Sequence, residues 1–182
     1  PPLLDWVRTR RVPGLAWKYA AANPVADLLH QQYILNALAD VDGIASVESE
    51  ALEMVGQFAG PCCFADAIRC VAGPDAQLRD IPWLRPLGSG QIELLPKPAR
   101  LWSLGELLVL VARLGGGATR PDAWMRLGTR LAETIVQRLN DPADAEGTYP
   151  RHAMHALHGL ACQLALLRKR AQDRKSAAEA GQ

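Results

Sequence analysis

Three histidines and a cysteine recur along RHAMHALHGLAC as His152, His155, His158 and Cys162. On a helix, at about 100° per residue, these side chains fall within an arc of roughly 120° and project to one side. Imidazole and thiolate are ligands that zinc and other borderline transition metals select, so this face is the candidate metal site. A single helix cannot surround an ion, and neither an HExxH nor a CxxC run supplies further ligands. The competing expectation is four hydrogen-bonded residues on a half-buried helix face and no cofactor at all.

A second reactive candidate is the pair Cys62 and Cys63 behind Gly60-Pro61. If a helix starts there, its free amides and dipole favour a thiolate. Asp66 opposes that charge, and Phe64, Ile68 and Val71 suit a buried apolar helix running to Ala72. The four cysteines in all read as reduced thiols of a cytoplasmic protein, because a chain of 182 residues can close a core without disulfides.

Cationic residues gather at both ends. Arg8, Arg10 and Arg11 interleave with Trp6 and Trp17, a mixture suited to a membrane surface or a phosphate backbone. Arg168, Lys169 and Arg170 crowd the exit of the last helix, where they also complement the helix dipole. Lysine plus arginine (20) nearly cancel aspartate plus glutamate (19), leaving a net charge of +1, so only these local patches, and not the whole surface, could grip nucleic acid. No GxGxxG, P-loop or GxSxG run is present, and the balance leans away from an enzyme.

The elements that must position these residues are helices. Asn23-Pro24 reads as an N-cap and first helical residue for a helix through Asp40, stopped at Asp42-Gly43. Ser46 reads as the cap of a helix to about Ala59, with Val47, Leu52, Val55 and Phe58 inward. Ser103 and Glu106 spell a capping box for a helix ending at Gly115-Gly116-Gly117. Pro121 starts another through Leu139 with Trp124, Leu127, Leu131, Ile135 and Leu139 on one face, and Pro150 opens the last. Between Asp75 and Pro98, four prolines predict a long loop, within which Ile81–Arg85 and Gln91–Leu95 could form one short edge hairpin.

The expected fold is therefore all-α: a single compact helical domain over 1–176 with six or seven helices, a proline-rich central loop, room for one short hairpin, and a mobile polar tail at 177–182. An apolar share of 49% against 21% charged excludes a disordered chain. The longest apolar run, Leu101 to Leu114, is too short to span a bilayer, and the first dozen residues lack a signal-peptide layout. The leading expectation is a non-catalytic adaptor or assembly domain, a cytoplasmic part of a larger or membrane-associated complex, binding another protein or itself. Its contact surface would be the central loop, through Ile81, Trp83, Leu84, Leu87, Ile92 and Leu94, which are too apolar for a solvated linker. The alternatives are a metal- or thiol-dependent enzyme on the histidine helix, and a weak nucleic-acid binder through the basic ends.

Overall fold

The computed structural model describes residues 2–9, 11, 17, 25–60, 63–72, 84–87, 90–94 and 97–180, with the backbone alone for 2, 3, 69–72, 84–87 and 90–94. Helices dominate these residues, and the all-α class holds, with six α-helices among them. The chain divides into two compact units, Pro1–Arg100 and Leu101–Gln182, where the composition suggested one domain over 1–176.

The first unit contains α1 (Pro2–Thr9), β1 (Val25–Asp27), α2 (Leu28–Asp42), a 3-10 turn at Ile44–Val47, α3 (Glu48–Phe58), β2 (Ala67–Ala72), β3 (Leu84–Leu87) and β4 (Gly90–Leu94). The strands form one antiparallel sheet in the order β1-β2-β4-β3. The hairpin expected in the central loop is present as β3 and β4. It is not confined to an edge, because β4 pairs with β2 from Ile68↔Leu94 to Ala72↔Gly90. Pro86 lies on β3, the outer strand, where a missing backbone donor costs least.

Three helix boundaries differ from the sequence reading for local physical reasons. Val25–Asp27 pairs with β2, so α2 begins at Leu28 rather than at Pro24. Its cap is Asp27, whose side chain accepts the His30 N–H at 2.9 Å. At the other end, Gly43 takes φ +86 and donates to Ala39 O, as the Asp42-Gly43 stop predicts. α3 starts at Glu48 behind the 3-10 turn, with Ser46 hydroxyl bonded to Gly43 O and not capping the helix. Its inward apolar residues are Ala51, Met54 and Phe58, with Val47 buried in the turn before it, so Leu52 is rotated outward.

The segment after Gly60 is the clearest correction. A helix over Cys62–Ala72 was expected, but residues 67–72 are strand β2. Short apolar runs do not separate strand from helix by periodicity, and here the ladders to β1 and β4 decide. Upstream, Gly60 donates to Cys63 O at 2.8 Å, Ala59 bridges Phe64 antiparallel, and Cys63 to Asp66 are not helical.

The second unit consists of α4 (Leu101–Gly117), α5 (Pro121–Asn140), a 3-10 turn at Ala145–Thr148 and α6 (Pro150–Ala180). α4 is buried nearly all round, with Leu104, Leu107, Leu108, Leu110, Val111 and Leu114 inside, and packs against both α5 and α6. α5 turns Trp124, Leu131 and Ile135 inward, as its spacing predicts, with Leu127 and Leu139 at the margin. The triple glycine does not break α4: the helix runs to Gly117. A Cβ on Gly115 would lie 2.8 Å from Leu166 Cδ2, and Gly115 O accepts from Arg170 at 2.8 Å, so tertiary contacts hold the glycines helical. α6 also continues as helix through Ala180, past Ser176 where the polar composition predicted a mobile tail.

Candidate functional site

The site that the structure assembles lies where α4 and α6 cross. Gly105 and Gly159 let the two backbones touch: a Cβ on Gly105 would sit 2.3 Å from His155 O, and one on Gly159 2.4 Å from Gly105 O. No other residue fits at either position without moving a helix. This close approach brings Trp102 and Glu106, on consecutive turns of α4, onto the first turns of α6.

Glu106 is buried, and its Oε1 is 2.6 Å from His155 Nδ1. A carboxylate only accepts, so the bond is donated by Nδ1–H of a partly exposed ring. The imidazole stacks on Trp102 with centroids 4.6 Å apart and planes 20° from parallel. The Arg151 guanidinium lies 4.7 Å from the centre of the same indole. Carboxylate, imidazole, indole and guanidinium thus form one layered cluster that fixes the rotamer of His155.

The capping box expected at Ser103 and Glu106 is absent. α4 starts two residues before Ser103, which is buried inside the helix, and Glu106 is spent on His155. The Leu101 N–H donates instead to Glu146 Oε2 at 2.8 Å, from the acidic 3-10 turn. Glu146 also faces Arg138 at 3.4 Å and His152 at 3.7 Å. Arg138 in turn holds Asp144 at 2.6 Å, and that bond keeps the Asp144 carboxyl below its ordinary value against the opposing effect of burial.

The four expected metal ligands are not brought to one point. His152 turns towards Glu146 and Tyr149, with ring centroids 5.4 Å apart in the latter pair, and His155 is held by Glu106. His158 is exposed and Cys162 partly buried. Burial first, and then the Glu106 charge, push the Cys162 thiol up from its ordinary value. A thiol so placed is protonated at neutral pH and is a poor nucleophile. Among the described residues, no group of three or more His, Cys, Asp or Glu side chains is arranged to hold a metal ion. What the Glu106–His155 pair can do chemically is hold one partly exposed imidazole in a fixed orientation.

The thiolate argument for Cys62 and Cys63 loses its premise, since no helix starts at that point. Cys63 is exposed, and Cys62 lies outside the described residues. At the amino-terminal basic stretch, Arg8 pairs with Asp42 at 2.6 Å and Arg11 with Glu53. Trp17 is buried, its N–H and C=O clamped by the Gln31 amide at 2.7 Å each, and its indole N–H donates to Val7 O. Trp6 is exposed, and Arg10 lies outside the described residues. At the other end, Arg170 is tied to Asp122 and Gly115 O, whereas Arg168 and Lys169 are exposed. Among the described residues, no helix is long and apolar enough to cross a membrane.

Of the expected contact residues, Leu84 and Leu87 lie at the ends of β3, Ile92 and Leu94 in β4, and Ile81 and Trp83 outside the described residues. Backbone pairing removes the first four from the irregular loop on which the expectation rested. The exposed apolar surface that the sequence reading missed is on α6: Met154 at 69%, Leu157 at 57%, Leu164 at 47% and Leu167 at 42% exposure. Met154, Leu157 and Leu164 lie on the side away from Ala156, Gly159 and Gln163, which are buried, whereas Leu167, about three turns after Ala156, flanks the buried side. The 3-4-3 spacing of Met154, Leu157, Ala161 and Leu164 was legible, but only the packing shows which of the two faces of α6 is covered. No protein-family model, curated protein or solved structure matches the chain.

Proposed function

We propose that this chain is a non-catalytic assembly domain that binds another protein through the outward face of α6. The observation that carries this reading is the row Met154, Leu157 and Leu164, three large apolar side chains exposed along one helix whose other side is already buried. Scattered exposed leucines are ordinary, but a contiguous row at helix spacing is a recognition feature. The protonated Cys162 and the dispersed histidines favour this over a thiol- or metal-dependent enzyme. The reading includes a cytoplasmic setting, supported by Cys63 and Cys162 as free thiols.

A photo-crosslinking residue placed at Leu157 or Leu164, with Glu133 on the exposed side of α5 as control, tests it. Discrete adducts from the α6 positions and none from Glu133 are expected. Equal or absent adducts at all three positions would remove the reading. Leu157→Ser with Leu164→Ser should leave the denaturant midpoint nearly unchanged; a large loss of stability would assign the row to the core.

A further inference from the structure

We infer that the partner seated on α6 is an acidic amphipathic helix, an inference that rests on the assembly reading above. The exposed residues Met154, Leu157, Ala161 and Leu164 follow the alternating three-and-four spacing of a helix-pairing seam. Such a seam accepts side chains of a second helix between its own, and the small Ala161 leaves a hole in the middle for a larger one.

Charge selects the partner. From Pro150 to Gln172, α6 carries no aspartate or glutamate, and its first carboxylate is Asp173. Cations stand at both ends of the seam, Arg151 before Met154 and Arg168 with Lys169 after Leu164. The nearby acids are engaged within the unit: Glu106 holds His155, Glu146 serves Leu101 and Arg138, and the exposed Asp122 pairs with Arg170. A helix with aliphatic seam residues and glutamates or aspartates at its flanks would satisfy the exposed cations where the seam ends.

A second copy of α6 does not. Paired in parallel, it sets Arg168 and Lys169 beside their own counterparts, and paired antiparallel it sets them beside Arg151, like charges in both registers. A lipid surface fits less well, since helices lying on membranes carry lysine and arginine along their whole polar face. Between His152 and Leu167, α6 carries no lysine or arginine, and the side opposite the seam is buried in the unit.

The test is selection of displayed three-heptad helices on the full chain, with leucine fixed at the seam positions and glutamate, glutamine or lysine allowed at the flanks. Glutamate should be enriched over lysine by about tenfold or more, and the preference should vanish on Arg168→Glu with Lys169→Glu. Helices retained without charge preference, yet released by Leu157→Glu with Leu164→Glu, would overturn the acidic partner and leave the assembly reading standing. No helix retained above that double variant would overturn both. Sedimentation showing a dimer of the chain alone that the same variant dissociates would make a second copy the occupant. Binding to phosphatidylserine vesicles, lost in the same variant, would make it a membrane. Either result overturns the inference. Circular dichroism of each variant, and a milder Leu157→Ser with Leu164→Ser pair, keep folding defects apart from binding defects.

Discussion

Glu106 holds His155 by a direct hydrogen bond and lifts the Cys162 thiol by its charge. Cys162 is therefore expected to react with iodoacetamide at neutral pH more slowly in the folded protein than in the unfolded chain. Glu106→Gln should speed the folded-state reaction by removing the charge, yet leave it slower than unfolded because burial is the larger cause. Mass spectrometry of the labelled cysteine decides; a folded-state rate unaffected by Glu106→Gln would detach the carboxylate from the thiol. The Arg138–Asp144 pair gives an acid-side test. The Asp144 carboxyl titrates below its ordinary value of 3.8 because Arg138 bonds its charged form. A carboxyl depressed in the folded state contributes stability that is complete above the ordinary value and lost as pH falls through the depressed one. The difference in denaturant midpoint between the wild type and Arg138→Gln should accordingly be steady at neutral pH and shrink below about pH 4. A difference that persists unchanged at pH 2 would mean that Arg138 acts through packing.

Among the elements, α4 shows how a helix is started and seated from elsewhere in the chain. Its Leu101 N–H is satisfied by Glu146, which follows it by two elements, and not by its own first turn. Glu146→Ala should cost about 1–2 kcal/mol by urea unfolding, in the range of a lost helix cap. Asp27→Ala, which removes the cap of α2, should cost about 1 kcal/mol. Seating depends on the glycine crossing. Gly105→Ala or Gly159→Ala drives a methyl into the facing backbone, so either should destabilise by about 1–3 kcal/mol despite alanine's better helix propensity. Gly56→Ala on α3, with open space around it, is the control and should be neutral or stabilising. A stabilising result at Gly105 would disprove the close crossing.

For the molecule as a whole, the division at Leu101 has a consequence for folding. The buried apolar side chains of the second unit run from Leu104, Leu107, Leu108, Val111 and Leu114 on α4 to Trp124, Leu131 and Ile135 on α5 and Ala156 on α6, and α4 packs against both other helices of the unit. The Glu146 and Arg138 bonds that close its helix ends also lie within it. A fragment from Leu101 to Gln182 is expected to be helical by circular dichroism and to melt cooperatively. A fragment that is unfolded, or that melts without a transition, would show that this core does not suffice. The net charge of +1 gives the molecule little overall field, so its recognition rests on local patches such as the ends of the α6 seam.

The helices that the sequence alone determined are those whose signals are local. Pro121 and the run from Trp124 to Ile135 mark α5, Pro150 marks the start of α6, and Asp42-Gly43 ends α2. A cap, a proline ring or a positive φ acts within one turn, so its effect is written next to its cause. The hairpin of β3 and β4 was legible for the same reason, from its turn residues. Tertiary structure decided the rest. β2 is a strand because partners on both sides pair with it, Glu106 abandons a capping box because the Gly105–Gly159 crossing places His155 against it, and Gly115 stays helical because Leu166 and Arg170 pack there. The candidate site shares that dependence. The histidine and apolar spacings of α6 were visible, but which face is buried and which left open follows from α4 and α5, whose approach depends on groups some fifty residues away in the chain, as His155 is from Glu106. Local spacing carries no record of such long-range contacts, because their free energy exists only once the distant groups have met.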